Sequence, residues 1–207
     1  MPGRKASEGT RRDQIIRAAY DVAARKGLDG LTVRLVATKA RLSTGLVLFH
    51  YTSKDELVVA LLDWLLSTTT VLHIGPEIRA ITSPSERLLA VLRQEMDRLS
   101  REPGRIRLFF EFWVMGGRHT RIGTKMRAEL DRYREAFRPI AQEVLQAEPE
   151  RFPHVTAEGL AAVAVSFIKG CAVQAMIDPE HFDIQEYLLA AEGLLGQLGP
   201  AASAESA

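Results

Sequence analysis

Between residues 11 and 198 the apolar side chains recur at intervals of three and four, and no stretch alternates apolar with polar for long enough to describe a half-buried strand. That one period predicts an all-α chain. Residues that start and stop helices punctuate it into about nine helices. Ile15, Ile16, Ala19, Tyr20, Ala23 and Ala24 mark a helix over 11–26 that Gly27 stops. Thr32 is a candidate N-cap for a short helix to Ala40, and Ser43 for another to about His50. Ser53-Lys54-Asp55-Glu56 reads as a capping box before the apolar run 57–66, in a helix expected to last until Gly75-Pro76. Ser83-Pro84-Ser85-Glu86 opens a helix that ends near Pro103-Gly104, and an aromatic helix over 106–115 breaks at Gly116-Gly117. A long amphipathic stretch follows over about 122–147, in which Pro139 marks either a kink or the real start. Thr156 opens a helix to Ile177, stopped by Asp178-Pro179, and Asp183-Ile184-Gln185-Glu186 caps the last, to about Leu198.

Composition narrows the class. With 46% hydrophobic and 26% charged residues the chain is globular, and 207 residues allow one large domain or two small ones. The lone cysteine, Cys171, excludes an internal disulfide framework and a four-cysteine zinc site, and fits a reducing compartment. No run reaches about 18 charge-free apolar residues, and the basic start MPGRKASEGTRRD has no apolar segment behind it, so no membrane partner is expected and a cytoplasmic location is. Charge is unevenly spread. Residues 1–60 carry eleven basic and six acidic side chains, net +5, whereas the remainder carries sixteen and twenty, net −4. A basic head on an acidic body suits a reader of nucleic acid.

Enzyme chemistries find little support. There is no Glu-x-x-His pair for a carboxylate di-iron bundle and no Gly-x-Ser-x-Gly elbow. The five histidines (His50, His73, His119, His154 and His181) stand singly, and 117–125 lacks both the strand and the spacing of a phosphate loop. No enzyme activity, catalytic residue, metal or cofactor is expected.

The two short helices, 32–40 and 43–50, have the spacing of a helix-turn-helix. Val36 and Ala37 face inward, Leu42 fills the turn, Val47 holds the second helix to the first, and that second helix enters a major groove. Residues 11–66 resemble the DNA-binding domain of the TetR family of bacterial transcriptional repressors. The resemblance is carried by Ile15-Ile16-x-Ala18-Ala19, Gly27, Leu31-Thr32-Val33-Arg34-x-Val36-Ala37, Leu42-Ser43-x-Gly45 and His50-Tyr51-x-Ser53-Lys54-Asp55-Glu56-Leu57. It implies a double-stranded DNA partner, a palindromic operator and a homodimer whose half-sites lie one helical turn apart. It also implies roles: Thr32 holds a phosphate at a helix N-terminus, and Arg34 reaches guanine O6 and N7. Ser43, Thr44, Gly45 and Leu46 begin the recognition helix, with Thr44 and Leu46 at base edges and Gly45 permitting close approach. His50, Tyr51 and Lys54 clamp the backbone. Two positions depart from the family. Arg41 stands where a glycine usually takes a left-handed turn, at a cost of about 1 kcal/mol or with a slightly different turn. Leu48 stands where a tyrosine is usual, which removes a phosphate-contacting hydroxyl that Arg41 replaces electrostatically.

The body resembles the BetI-like subgroup of that family, on the segment 109–113, on Tyr133-Arg134, and on Gly159-Leu160-Ala161-Ala162 with the apolar helix that follows. A small-molecule effector is implied. Phe109, Phe112 and Trp113, faced by Trp64, Tyr133, Phe137 and Phe167, are the candidate ligand-binding residues, although such a stripe equally builds plain core. Glu111 lies within i,i+4 reach of Arg107 and is expected to form a surface pair with it. Lys169 and Gln174 either touch the ligand or snorkel to solvent, and Cys171 reads as a small buried residue. Ala161, Ala164, Cys171 and Ala175 of one helix, with Leu188, Leu194 and Leu195 of the last, are the expected dimer interface, a four-helix bundle with their symmetry mates. The expected organisation is a flexible basic arm (1–10), a helix-turn-helix domain (11–54), an effector-binding and dimerisation domain (55–198) and a disordered tail (199–207). The expected function is a repressor released from its operator by a small molecule, with a ligand-independent activator or architectural DNA protein as the alternative.

Overall fold

Helix starts are where the hydroxyl and carboxylate caps place them. The computed structural model describes residues 7–69 and 72–197, without the side chains of 99–100 and 195–197. Its described residues form ten helices and no strand: α1 (Glu8–Lys26), α2 (Val33–Ala40), α3 (Thr44–His50), α4 (Lys54–Ser67), α5 (Pro76–Arg79), α6 (Pro84–Ser100), α7 (Pro103–Gly116), α8 (Thr120–Ala147), α9 (Ala157–Ile177) and α10 (Ile184–Gln197). Thr32, Ser43, Ser53 and Thr156 each accept the backbone N–H three residues on. Ser83 does the same for Glu86, and Asp183 accepts from Gln185 and Glu186. α1 starts earlier than expected, capped by Ser7, so residues 8–10 are helical rather than part of an arm. The rest of the expected arm, 1–6, and the expected tail, 199–207, lie outside the described residues.

Four expectations are refined by the structure. α4 stops at Ser67 instead of continuing to Gly75, because hydroxyls take its last carbonyls: Ser67 and Thr68 donate to Trp64, and Thr69 donates to Leu65. Arg105 completes this end, donating to the Leu65 carbonyl at 2.8 Å and to the hydroxyls of Thr68 and Thr69. The tenth helix, α5, is a single turn opened by Pro76 at its first position. Pro139 lies inside α8 and does not mark its start. The capping box at Ser53 is half made: Ser53 accepts the Glu56 N–H, but the Glu56 carboxylate pairs with Arg121 at 2.6 Å.

Contacts gather the described residues of 1–70 and 104–129 into one unit, and those of 71–103 and 130–207 into a second. In the first, Ile15, Ala19, Val36 and Val47 share a core with Leu57, Leu61 and Leu65 of α4, Leu108 and Phe112 of α7, and Ile122 and Met126 of α8. A boundary at residue 54 therefore cuts through a core, because three small helices cannot enclose their own apolar faces. In the second unit α9 packs on α6 and α10. Its core holds Leu92, Met96, Tyr133, Phe137, Val144, Ile168 and Leu188. By length and composition α9 is apolar enough to cross a membrane, yet Leu160, Ala161, Ala164, Val165, Ile168, Cys171 and Ala172 are buried in this core.

Candidate nucleic-acid interface and effector region

The helix-turn-helix is built from its turn outward. Val36, Ala37 and Val47 are buried against α1, and Leu42 is half-buried between α2 and α3. Arg41 takes the left-handed backbone that the turn demands, φ 56° and ψ 45°, and its N–H meets the carbonyls of Ala37 and Thr38. The turn is thus the ordinary one, held by a strained arginine. α1 supplies two side chains that local sequence reading misses. Gln14 donates to the Ala40 carbonyl at 2.8 Å, and Arg12 donates to the His50 carbonyl at 3.1 Å. Each satisfies an orphan carbonyl at the end of α2 or α3, so α1 fixes where both helices stop. The partners are 26 and 38 positions apart, beyond the reach of any local pattern.

The expected DNA contacts fall into two groups. Thr32, Arg34, Arg41, Ser43, Thr44, Gly45 and Lys54 are exposed, and Leu46 is half-exposed. The Ser43 hydroxyl is engaged as the cap of α3. No ion pair involves Arg34 or Arg41 among the described residues, whereas Lys54 reaches the Asp29 carbonyl at 3.5 Å. Tyr51 is different. Its ring is 5% exposed under the Arg12 guanidinium, 4.7 Å from the ring centre, and its hydroxyl donates to the Arg12 carbonyl. Burial pushes its phenol above the ordinary value, partly offset by Arg12. The expected backbone clamp at Tyr51 is therefore corrected: the aromatic position closes the core between α1 and α3. His50 is half-buried, with Nδ1 enclosed and without a hydrogen-bond partner among the described residues. Phe49 is the residue missed at this face, 78% exposed, and Leu48, expected only as the loss of a hydroxyl, is 43% exposed beside it. Counting the helical turn outward from buried Val47 finds them.

The seven candidate ligand residues divide between the two cores. Trp64, Phe109, Phe112 and Trp113 belong to the first, where Trp64 lies 5.2 Å from the Tyr20 ring. Tyr133, Phe137 and Phe167 belong to the second. Phe112, Tyr133 and Phe137 are fully enclosed. Glu111 does not make the expected surface pair with Arg107 among the described residues: its carboxylate accepts the Leu28 N–H at 2.5 Å, just past the end of α1. Sequence proximity to Arg107 had no competitor on its own helix; the structure supplies one 83 residues away. In the second unit Lys169 sits 4.2 Å above the Tyr133 ring, and Gln174 is exposed. Glu95, missed because it reads as a polar helix position, is completely buried. One of its oxygens accepts from Arg98 at 2.6 Å while the other, Oε1, has no partner among the described residues. Burial lowers the Arg98 guanidinium, but Glu95 and Tyr133 together hold it above its usual value.

The assignment of Ala161, Ala164, Cys171 and Leu188 to a dimer interface is corrected, since all four are buried within their own chain. The small size of Ala161, Ala164 and Cys171 serves the approach of α9 to α6 and α10, and Leu188 of α10 lies in the same core. α9 is apolar on every side, so periodicity does not say which face turns inward. Ala175 is half-buried, and the Leu195 side chain lies outside the described residues. The exposed large apolar residues on these helices, among the described side chains, are Val163, Ile177, Leu189 and Leu194. Burial also pushes the Cys171 thiol up to about 11.

Residues 15–61 match the family of bacterial regulatory proteins of the tetR type, and residues 84–200 match the C-terminal region of BetI-type transcriptional repressors. The chain belongs to the TetR family of transcriptional regulators. The regulator is 26% identical over 187 residues to an uncharacterized HTH-type transcriptional regulator in the dhlA 5′ region of Xanthobacter autotrophicus, covering 88% of each chain. It is also 26% identical over 186 residues to the nicotine-responsive transcriptional repressor HdnoR of Paenarthrobacter nicotinovorans, covering 86% of this chain and 92% of that one. Its fold matches a putative transcriptional regulator of Saccharomonospora viridis solved in complex with choline, with TM-score 0.70 at 15% identity over 92% of this chain and 97% of that one. These relatives are regulators of transcription rather than enzymes.

Proposed function

We propose that this regulator is a homodimeric, cytoplasmic repressor that holds a palindromic operator through α2 and α3 and releases it when a small molecule binds the BetI-type region. One observation carries the DNA half: Thr44, Gly45, Leu48 and Phe49 of α3 are exposed, and so are the cations Arg41 and Lys54 that flank α3 in the chain and Arg34 on α2, which packs on α3. Two such helices one turn of B-DNA apart, about 34–36 Å, require two copies of the chain. Val163 and Ile177 of α9, with Leu189 and Leu194 of α10, supply the apolar surface for that pairing.

The effector half draws on the names of the relatives, one responsive to nicotine and one bound to choline, both organic amines or ammonium compounds. Glu95 is the matching group here, a buried carboxylate with an oxygen to offer a donor or a cation. An effector that favours the DNA-incompetent state by 1–3 kcal/mol lowers operator affinity about 5–150-fold.

The test is selection of bound duplexes from a random pool, followed by titration of the enriched duplex across a salt series. The expected result is a palindrome bound with a steep negative salt slope. Arg34→Ala then relaxes one base position, and Lys54→Ala weakens every sequence and flattens the slope by about one. Choline and nicotine are added to the bound complex, with Glu95→Gln as the control that removes their effect. Sedimentation of Ile177→Glu and Leu189→Glu tests the pairing surface; variants that stay dimeric place the interface elsewhere.

A further inference from the structure

The seven residues of α3, Thr-Gly-Leu-Val-Leu-Phe-His, include no arginine, lysine, asparagine or glutamine. Those are the side chains that read guanine or adenine through paired hydrogen bonds in the major groove. What α3 turns outward is apolar. Thr44 and Leu48 lie one turn apart on its exposed side, as do Gly45 and Phe49, and Phe49 is 78% exposed. Single exposed apolar residues are commonplace. Here two adjacent ones project from a helix whose opposite side, at Val47, is sealed, while Arg41 and Lys54, which flank this helix in the chain, and Arg34 on α2, which packs on it, are exposed. The exposed cations on the flanking segments select a polyanion as the occupant. Gly45 adds a second observation. A Cβ built there meets nothing within 4 Å, so internal packing does not require glycine, which weakens a helix. The missing side chain leaves a notch beside Phe49 through which a partner reaches the backbone.

We propose that α3 reads thymine methyl groups: Phe49 and Leu48 pack against the 5-methyls of successive A·T pairs, with the Thr44 methyl beside them, while the notch at Gly45 sets the depth of approach. Arg34, on α2, then provides a hydrogen-bonding read at a neighbouring pair. This rests on the operator-binding reading above and adds the base chemistry that the recognition helix selects.

The experiment uses the full chain and the duplex it enriches from a random pool. Each thymine is replaced singly by deoxyuridine, which removes one methyl and leaves every hydrogen-bonding group in place. Loss of a contacted methyl weakens binding about fourfold, the equivalent of about 0.8 kcal/mol for one buried carbon group. Phe49→Ala and Leu48→Ala each abolish the thymine-to-uracil difference at one position per half-site, with the salt slope unchanged because neither side chain carries a charge. An enriched palindrome indifferent to uracil overturns the methyl reading and leaves operator binding standing. Phe49→Ala that weakens thymine and uracil duplexes equally overturns it too. So does self-association abolished by Phe49→Ala on uracil-indifferent DNA, since the patch is then a protein contact. A pool with no enriched sequence removes operator binding and the methyl reading together.

Discussion

Glu111 joins α7 to the end of α1, and removing its carboxylate tests whether the DNA-binding head ends where its motif ends. The Leu28 N–H donates to it at 2.5 Å, and Leu28 is 2% exposed, where little water reaches. A hydrogen bond to a charged group contributes about 1.5–3 kcal/mol. The same carboxylate lies at the negative end of the α1 dipole, which offsets about 0.3–1 kcal/mol. Glu111→Ala is therefore expected to lose about 1–2 kcal/mol, and for a chain of this size the melting temperature falls about 2–8 °C. Glu111→Gln keeps an acceptor and loses only the charge, so it falls between the two. Gly27 gives an internal control. Its φ of +72° disfavours a side chain, and a Cβ there lies 3.1 Å from both Glu111 carboxylate oxygens. Gly27→Ala is destabilising, and less so in the Glu111→Ala background, because the backbone strain persists while the steric part vanishes. Urea unfolding of the four-member cycle measures all of this. Glu111→Ala within about 0.3 kcal/mol of the parent, or Glu111→Gln as damaging as Ala, refutes the reasoning.

Three further outcomes are expected. Arg41→Gly relieves a left-handed arginine and raises stability by about 1 kcal/mol, while the lost cation weakens operator binding; melting and binding curves on one preparation show the opposed signs. Gly45→Ala likewise stabilises, by about 0.5–1 kcal/mol since its Cβ enters open space, and lowers DNA affinity. Cys171 resists thiol labelling in the folded protein at pH 8. Because its folded pKa is raised, to about 11, its contribution to stability is complete below the unfolded value of 9.0 and is lost as pH rises from there towards 11, so the stability difference from Cys171→Ala shrinks only in that window.

Helix starts were readable because a cap and its N–H lie three residues apart, as at Thr32, Ser43 and Ser53. The turn at Arg41 was legible only through the family resemblance, which left a slightly different turn open, and the structure places Arg41 in the left-handed region. Information carried by distant partners was not. The stop of α4 depends on Arg105, the ends of α2 and α3 depend on Gln14 and Arg12, and the Leu28 N–H is satisfied from α7. α9 shows a different limit. With apolar residues all round, its period places Ala161 and Cys171 on a seam but does not say whether the seam faces its own chain or another. Tyr51 shows a third: an aromatic next to a basic stretch suits a phosphate or a core equally, until Arg12 is found lying over its ring.

The first unit is assembled from two separate lengths of chain, and that has a consequence for its birth. On the ribosome α1 to α4 emerge first, with Leu57, Leu61 and Leu65 already in place but Leu108 and Phe112 still unmade. At 5–20 residues per second the end of α7 follows the end of α4 by roughly 2–10 s. Throughout that interval the nascent head carries an oily seam with nothing to close it, a surface that holdase chaperones grip. A fragment cut after α4 is frozen at that stage, a sticky intermediate in place of a miniature DNA reader. The recognition helix can be correctly spelled and still have no finished body to stand on until the chain is more than half made.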